Sequence, residues 1–250
     1  MNLAEYQSLN DNVLRFTREQ ASRFAKQVAG DFNPLHDIDS RRFCVPGDLL
    51  FVSLLDRYGL AAVTSVVFAG MVDEEVTFDL PESISENFDL VGHNGNHYLS
   101  FVTSGERIPS NVCIAALAQR YVEFSGLAFP DILVPLMESH GVMINPTRPL
   151  VIYKNMKIEL TSEGNDFFAV SDAGSNSTST LDNLALEMSD STLDVQGKKG
   201  EVALRFVIKS NDILLGRGVK EMILGGLRPY DQSTIDDIVK QYNEWKQIKR

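Results

Sequence analysis

The chain has 250 residues, of which 44% are hydrophobic, enough for the core of one large domain or two small ones. Its formal net charge of −11 disfavours binding to nucleic acid or to an anionic membrane surface. Cys44 and Cys113 are its only cysteines and form no CxxC pair, so the sequence predicts no zinc or redox site and a reducing, cytoplasmic location. No signal-peptide pattern or membrane-spanning apolar run is visible.

The first predicted helix begins at a capping box, in which Thr17 and Gln20 each satisfy a free backbone amide. Apolar residues then recur at helical spacing, and Gly30 is a natural helix stop. Asn33 precedes a proline and is therefore disfavoured in the α region. We expect a rigid loop after Gly30, with Asp31 at its start and His36 at its far side.

A second helix is predicted over residues 45–60, where apolar residues occupy nearly every face and imply burial. Three segments rich in Val, Phe, Tyr and Ile follow at residues 74–81, 87–106 and 111–125, and they predict strands. A buried helix followed by antiparallel strands suggests an α+β fold in which the sheet wraps around the helix.

The second half of the sequence shows echoes of the first. The segment from Pro46 resembles the one from Pro130, and the strand around Leu80 resembles the one around Leu160. Each half is then predicted to close with a strand, ALAQRYVEF at residues 116–124 and EVALRFVIKS at residues 201–210. In the second of these strands, alternate residues are apolar and share one face. These similarities predict an internal duplication, with one unit at residues 1–126 and a degenerate second unit at residues 127–250.

Two further segments complete the organisation. Residues 171–183 are small and polar, which is typical of a loop. After Pro229, an apolar stripe that includes Ile235, Tyr242 and Trp245 predicts a helix that packs on the sheet or on a partner subunit.

The segment GDFNPLH, from Gly30 to His36, resembles the hydratase signature of the MaoC-like hotdog family, whose core is Gly-Asp-x-Asn-Pro-aliphatic-His. The start of the helix at Gly47 and the strand that ends in Pro81 also resemble that family. The resemblance covers residues 16–125 and is only architectural beyond them. It implies a tandem (double) hotdog, with antiparallel sheets wrapped around central helices.

The resemblance further implies that Asp31 and His36 activate a water molecule that adds to an enoyl thioester. The backbone amide of Gly47, with Asp48 beside it at a helix N-terminus, would then hold the thioester oxygen. Asn33 is placed at the same site, although its side chain is expected to brace the loop. Arg41 and Arg42 are candidate contacts for a phosphate of coenzyme A or of an acyl-carrier protein.

Some residues depart from the family pattern. Ala29 stands before Gly30 where a Ser, Thr, Gly or Cys is usual in the family. Arg42 stands where a small residue is usual, and Pro46 stands where many relatives have a histidine. The second half has no counterpart of Asp31 or His36, so we expect at most one active site in each chain. No metal or organic cofactor is implied, and a monomer and a homodimer are both compatible with the sequence.

Three functions stay open at this point. The residue order favours an enoyl-thioester hydratase or dehydratase, a lyase of fatty acid metabolism. A non-catalytic acyl-thioester-binding or regulatory protein is the first alternative, and an acyl-CoA thioesterase is the second, because one fold supports several functions. Turn chemistry alone could also explain Asp31 and Pro34. His93, His97 and His140 are expected at the surface or in strands, and Cys44 is expected to serve packing only.

Overall fold

The computed structural model describes residues 1–126, 128–169, 181 and 183–248. The main helices, in chain order, are α1 (Arg18–Arg23), α2 (Gly47–Tyr58), α3 (Val112–Gly126), α4 (Ala128–Asp131), α5 (Leu133–Ser139), α6 (Ser162–Ala169) and α7 (Gln232–Ile248). A π-helical segment, Phe24–Ala29, continues α1, and a 3-10 turn covers Pro34–His36. Among these described residues, no helix combines the length and apolar character needed to cross a membrane.

The strands form three antiparallel sheets. They are β1 (Ser8–Asn10), β2 (Val13–Arg15), β3 (Leu60–Phe68), β4 (Thr77–Asp79), β5 (Asn87–Val91), β6 (His97–Ile108), β7 (Val142–Met143), β8 (Val151–Leu160), β9 (Leu184–Gln196), β10 (Lys199–Ser210), β11 (Ile213–Gly225) and β12 (Arg228–Pro229). The main sheet has seven strands in the order β5-β6-β3-β8-β11-β10-β9, and the pairing of β3 with β8 joins the two halves of the chain.

Helix α2 is the buried helix that its apolar sequence predicts. It ends at Gly59, and Leu49, Leu54 and Leu55 on it are fully buried. Phe51 packs edge-to-face on Tyr121 of α3, with ring centroids 5.2 Å apart, so the two helices lie against each other. The fold class is as predicted: an α+β protein in which helices pack on a continuous antiparallel sheet, as in a tandem hotdog.

The strand predicted for residues 111–125 is wrong, because this segment forms α3. Its buried residues recur with helical rather than alternating spacing: Ile114, Leu117, Ala118, Tyr121, Val122 and Ser125. Asn111 precedes the helix and accepts hydrogen bonds from the amides of Cys113 and Ile114, in the manner of a helix cap. Helical periodicity therefore prevails over the β-branched and aromatic composition of the segment.

The sequence echoes do not mark equivalent elements. The segment from Pro130 forms part of the short helices α4 and α5 rather than a second long helix. The strand around Leu80 is β4 of a small three-stranded sheet, whereas the strand around Leu160 is β8 of the main sheet. Helix α3 packs on the second half of the chain, where the ring centroids of Phe124 and Phe206 of β10 lie 5.1 Å apart. The apolar patterns matched because buried helices and buried strands have similar composition.

Several local predictions are confirmed. The capping box of Thr17 and Gln20 forms at the start of α1, and Gly30 ends the helix with φ = 66°, a left-handed conformation that favours glycine. Val202, Leu204, Phe206 and Ile208 are buried on one face of β10. The loop predicted for residues 171–183 lies outside the described residues except at positions 181 and 183.

Candidate functional site

The loop after Gly30 is held in one conformation by hydrogen bonds of its own side chains. The Asp31 amide donates to the carbonyl of Ala25 at 2.8 Å, which ties the loop to the end of the π-helical segment. Asp31 Oδ1 accepts from the Asn33 amide at 2.8 Å, and Asn33 Oδ1 accepts from the Leu35 amide at 3.1 Å. Asn33 thus braces the loop through its side chain, since such Asx turns fix the backbone locally.

His36 is buried, and its two ring nitrogens have different surroundings. Nδ1 lies 2.6 Å from the backbone carbonyl of Cys44. Because a carbonyl oxygen only accepts hydrogen bonds, Nδ1 carries a proton, and in the neutral ring Nε2 is therefore a free acceptor. Nε2 lies 3.6 Å from Asp31 Oδ2, the carboxylate oxygen that the loop amides leave free. The structure therefore brings together the two side chains that sequence reasoning paired.

Asp31 and His36 line a cavity of about 350 Å³. Asn33, Gly47 and Ser125 line it as well. Most of the remaining lining is apolar and comes from both halves of the chain, including Leu50, Val72, Leu133, Ile144, Met222 and Ile238. The cavity therefore combines a few polar groups with a large apolar lining, which is typical of a binding site for a mostly apolar ligand.

Helix α2 begins at the lining of this cavity. Gly47 is its first residue, and the preceding residue, Pro46, provides no side-chain cap. A Cβ atom at Gly47 would lie 2.6 Å from Cδ2 of Tyr153 and 3.1 Å from Cε1 of Phe68. Glycine is thus required here by two aromatic rings that pack against its Cα atom, a reason that sequence reasoning did not supply.

The side chain of Asp48 is buried in a polar cluster, which we call the Asp48 cluster: Asp48, Tyr121, Ser125, Tyr153 and Lys220. Lys220 Nζ lies 3.2 Å from Asp48 Oδ1, and the side-chain exposures are 1% and 5%. The hydroxyls of Tyr121 and Tyr153 donate to Asp48 at 3.0 and 3.1 Å. Ser125 donates to Asp48 Oδ2 and accepts from Lys220. The carboxylate of Asp48 thus belongs to this cluster. The predicted role of this residue concerned the helix N-terminus, where the thioester oxygen was expected to bind.

Burial dominates the electrostatics of the Asp48 cluster. Desolvation lowers the pKa of Lys220, although the negative charge of Asp48 opposes this effect. Desolvation and the charge of Asp48 both raise the pKa values of Tyr121 and Tyr153 well above the usual range. Both tyrosines therefore stay protonated and act as hydrogen-bond donors to the carboxylate.

The other candidate residues lie at varied positions. Arg41 and Arg42 are exposed and are not among the residues that line the cavity. Cys44 does line it, but burial raises the pKa of its thiol to about 12, so the thiolate is scarce at neutral pH. The exposed residues His93 and His97 each have an aspartate partner, Asp79 at 3.0 Å and Asp89 at 3.5 Å. Among the described residues, no group of three His, Cys, Asp or Glu side chains could hold a metal ion.

Sequence reasoning did not select Lys220, Ser125 or Tyr242 for the site. A signal for Lys220 existed, because it shares one alternating face of β11 with the buried residues Met222 and Leu224. A lysine is almost never fully buried unless it is paired. Tyr242 of α7 donates to the carbonyl of Gly30 at 2.9 Å, and its ring packs on Phe32. Long-range contacts of this kind leave no local pattern in the sequence.

The fold and the cavity together define an α+β protein of the double-hotdog type. In the part of the chain that the structure describes, the Asp-x-Asn-Pro-Leu-His motif occurs once, from Asp31 to His36. The chain belongs to the family described as "Protein of unknown function (DUF3581)", whose model matches residues 1–233. A comparison with curated proteins gives no significant match.

Solved structures with a similar overall arrangement include an acyl-CoA thioesterase II, TesB2, from Mycobacterium marinum (13% identity, TM-score 0.42, covering 93% of this chain and 99% of that chain). A conserved protein of unknown function with a hot dog fold from Alicyclobacillus acidocaldarius has 11% identity and a TM-score of 0.46, with 91% and 98% covered. A MaoC-like dehydratase has 9% identity and a TM-score of 0.35, with 88% and 98% covered.

Proposed function

We propose that this protein hydrates the double bond of an enoyl thioester, or catalyses the reverse dehydration, with Asp31 and His36 holding the reacting water. The observation that carries this proposal is the distance of 3.6 Å between Asp31 Oδ2 and His36 Nε2, two residues that line a largely apolar cavity. This is the function implied by the MaoC-like resemblance of the loop, and the apolar space suits an acyl chain.

Two acceptors at this separation can share one water molecule. A water about 2.8 Å from each would donate one hydrogen to Oδ2 and one to Nε2, leaving its oxygen lone pairs free to attack the β-carbon. Nε2 takes the proton, because the nearby Asp31 carboxylate and the bond from Nδ1 to the Cys44 carbonyl stabilise the resulting imidazolium. The imidazolium then donates that proton to the α-carbon, which completes the addition of water.

Negative charge develops on the thioester oxygen while the water adds. The first amides of α2, at Gly47 and Asp48, lie at the positive end of the helix dipole and have no side-chain cap from Pro46. A thioester oxygen placed at these amides would be stabilised most in the transition state. The thiol portion, from coenzyme A or from a carrier protein, would then extend toward the surface, where the exposed Arg41 and Arg42 are candidate phosphate contacts.

The test is hydration of crotonyl-CoA, followed as the loss of ultraviolet absorbance. We expect Asp31→Asn and His36→Ala each to lower kcat/KM by at least about a hundredfold, because each removes one of the two groups that handle the proton. Thermal unfolding of Asp31→Asn should stay close to that of the wild type, because the amide oxygen can still accept from the Asn33 amide. His36→Ala removes a buried ring and its hydrogen bond to Cys44, so far-UV circular dichroism should first show that this variant is folded.

The matched control is His93→Ala, which removes an exposed histidine with its own aspartate partner 3.0 Å away. This variant should keep full activity. Release of many equivalents of free thiol per chain from a saturated acyl-CoA would instead identify the protein as a thioesterase. Binding of acyl-CoA without either reaction would identify a non-catalytic binding protein. Folded Asp31→Asn or His36→Ala protein with full hydratase activity would refute the proposal.

A further inference from the structure

The Asp48 cluster contains a hydroxyl that the proposed hydration does not use. Ser125, near the end of α3, lines the cavity together with Gly47 and Tyr153. Its Oγ atom donates to the carboxylate of Asp48 and accepts from the ammonium of Lys220. A hydroxyl between a base and a cation, at the edge of a ligand-sized cavity, has the surroundings of an activated nucleophile.

The buried residue Ser53 shows what a structural serine looks like in this protein. Its hydroxyl donates to the carbonyl of Leu49, one turn earlier in the same helix, and lies beside Gln7. Bonds to the preceding turn are common for serines inside helices. The hydrogen bonds described for Ser125 instead join it to charged side chains of α2 and β11, and Ser125 itself is one of the residues that line the cavity.

The charges of the cluster also need an explanation. A buried ion pair contributes little net stability compared with apolar residues of the same volume, because both charges must be desolvated. Here the pair of Asp48 and Lys220 is buried beside the start of α2, and it is hydrogen-bonded to two hydroxyl-bearing residues that line the cavity, Ser125 and Tyr153. Such convergence of titratable groups at a cavity is characteristic of functional sites.

We infer that Ser125 is a nucleophile that accepts an acyl group from an activated ester or thioester bound in the cavity, with Asp48 as its base and Lys220 as its electrostatic partner. Ser125 Oγ forms a bond to the acyl carbon as the proton of the hydroxyl passes to Asp48 Oδ2. The Lys220 ammonium stabilises the negative charge on Oγ during this transfer.

The bond between the acyl carbon and the leaving group then breaks. The leaving thiolate or phenolate receives the proton held by Asp48, so that the products are an acyl-serine ester and a free thiol or phenol. No oxidant, metal or further reactant is needed. During the attack, the first amides of α2 can stabilise the negative charge on the acyl oxygen.

The experiment treats the full chain with p-nitrophenyl butyrate at pH 8 and measures both the release of p-nitrophenolate and the mass of the protein. We expect an initial burst of about one p-nitrophenolate per chain and one butyryl group, which peptide mapping locates on Ser125. Ser125→Ala should lose the adduct and lower the burst rate at least about tenfold, whereas Ser125→Cys should regain an adduct at residue 125.

Asp48→Asn should also slow acylation at least about tenfold, because an amide accepts hydrogen bonds but does not take up the proton. The matched control Ser53→Ala removes another buried serine hydroxyl and should leave the burst unchanged. Hydration of crotonyl-CoA is measured separately on the same wild-type protein, so a failure of the hydration proposal is distinguishable from a failure of this one. An unmodified wild-type protein, or an adduct that forms equally in Ser125→Ala, would overturn the inference.

Discussion

At the residue scale, the buried charges of Asp48 and Lys220 are the groups whose loss should affect stability most. The two side chains are 5% and 1% exposed and lie 3.2 Å apart. Tyr153 adds to the environment of the lysine, whose Nζ lies 3.6 Å from the centroid of its ring. An ammonium over the face of an aromatic ring is further stabilised by the ring quadrupole.

Lys220→Met should lower the free energy of unfolding by about 3–5 kcal/mol, because it leaves the charge of Asp48 buried without its partner. Adding Asp48→Asn to this variant should recover part of the loss, because it removes the unpaired charge and its amide oxygen still accepts a hydrogen bond from a tyrosine hydroxyl. Urea denaturation measures both effects. Lys154→Met, which removes an exposed lysine 2.9 Å from Glu201, should change the stability little. A Lys220→Met protein as stable as the wild type would contradict the described pair.

The thiol of Cys44 gives a second prediction at this scale. Burial raises its pKa to about 12, so its thiolate appears only as the pH approaches 12. At pH 8 the thiolate fraction should be about a thousandfold lower than that of an ordinary cysteine. In a Cys113→Ala variant, a thiol reagent should therefore label Cys44 very slowly in the native protein and at an ordinary rate in denaturant. Rapid native labelling at pH 8 would show that the thiol is activated.

At the scale of elements, α7 stabilises the loop that carries Asp31 and His36. Tyr242 donates to the carbonyl of Gly30, and its ring makes edge-to-face contacts with Phe32 and Phe129, at centroid distances of 5.6 and 5.1 Å. Ile235, closer to the start of α7, is buried in an apolar cluster with residues of α5 and of the main sheet. The apolar stripe of the helix therefore packs inside the same chain and closes one side of the cavity.

Tyr242→Phe should lower the free energy of unfolding by about 0.5–1.5 kcal/mol, because it removes the hydrogen bond to Gly30 and keeps the ring. Tyr242→Ala should cost more, up to about 3–5 kcal/mol, because it also leaves a cavity between the two phenylalanine rings. Urea denaturation measures both. The control is Tyr230→Phe, whose hydroxyl bonds to the exposed Gln232 and whose loss should have little effect. Equal effects of Tyr242→Phe and Tyr230→Phe would argue against the contact with Gly30.

At the scale of the whole molecule, the two halves share a sheet and a core. Strand β3 pairs with β8 from Val63 to Val67, and Met156 on β8 is 2% exposed within the same apolar cluster as α2. A core that crosses the boundary proposed between residues 126 and 127 couples the stability of the two units. We therefore expect the chain to unfold in one cooperative step.

The only tryptophan, Trp245, lies in α7, so its fluorescence reports on one end of the molecule while far-UV circular dichroism reports on the whole. In urea, the two signals should give the same midpoint. Met156→Ala should shift both midpoints together and cost about 2–5 kcal/mol. Val67→Ala, which truncates a side chain that is 45% exposed on the adjacent strand, should shift them little. Two separate transitions would show that the halves fold independently.

The sequence by itself determined the features that depend on neighbouring residues. The capping box at Thr17, the helix end at Gly30, the buried helix α2 and the alternation in β10 all follow from periodicity and from local backbone chemistry. The short motif from Asp31 to His36 also predicted that these two side chains lie close together, because a proline turn brings residues five positions apart into reach. A clear 3.6-residue period was present in α3 as well, but its β-forming composition hid it.

The packing of distant elements determines which residues meet at the cavity and in the Asp48 cluster beside it. Asp48, Ser125 and Lys220 are separated by up to 172 positions, and their convergence depends on how α2, α3 and β11 pack. The same is true of the wall formed by α7 and of the aromatic rings that require glycine at position 47. Apolar patterning specifies that a face is buried, but it does not specify the element against which that face packs, because the hydrophobic effect is non-directional.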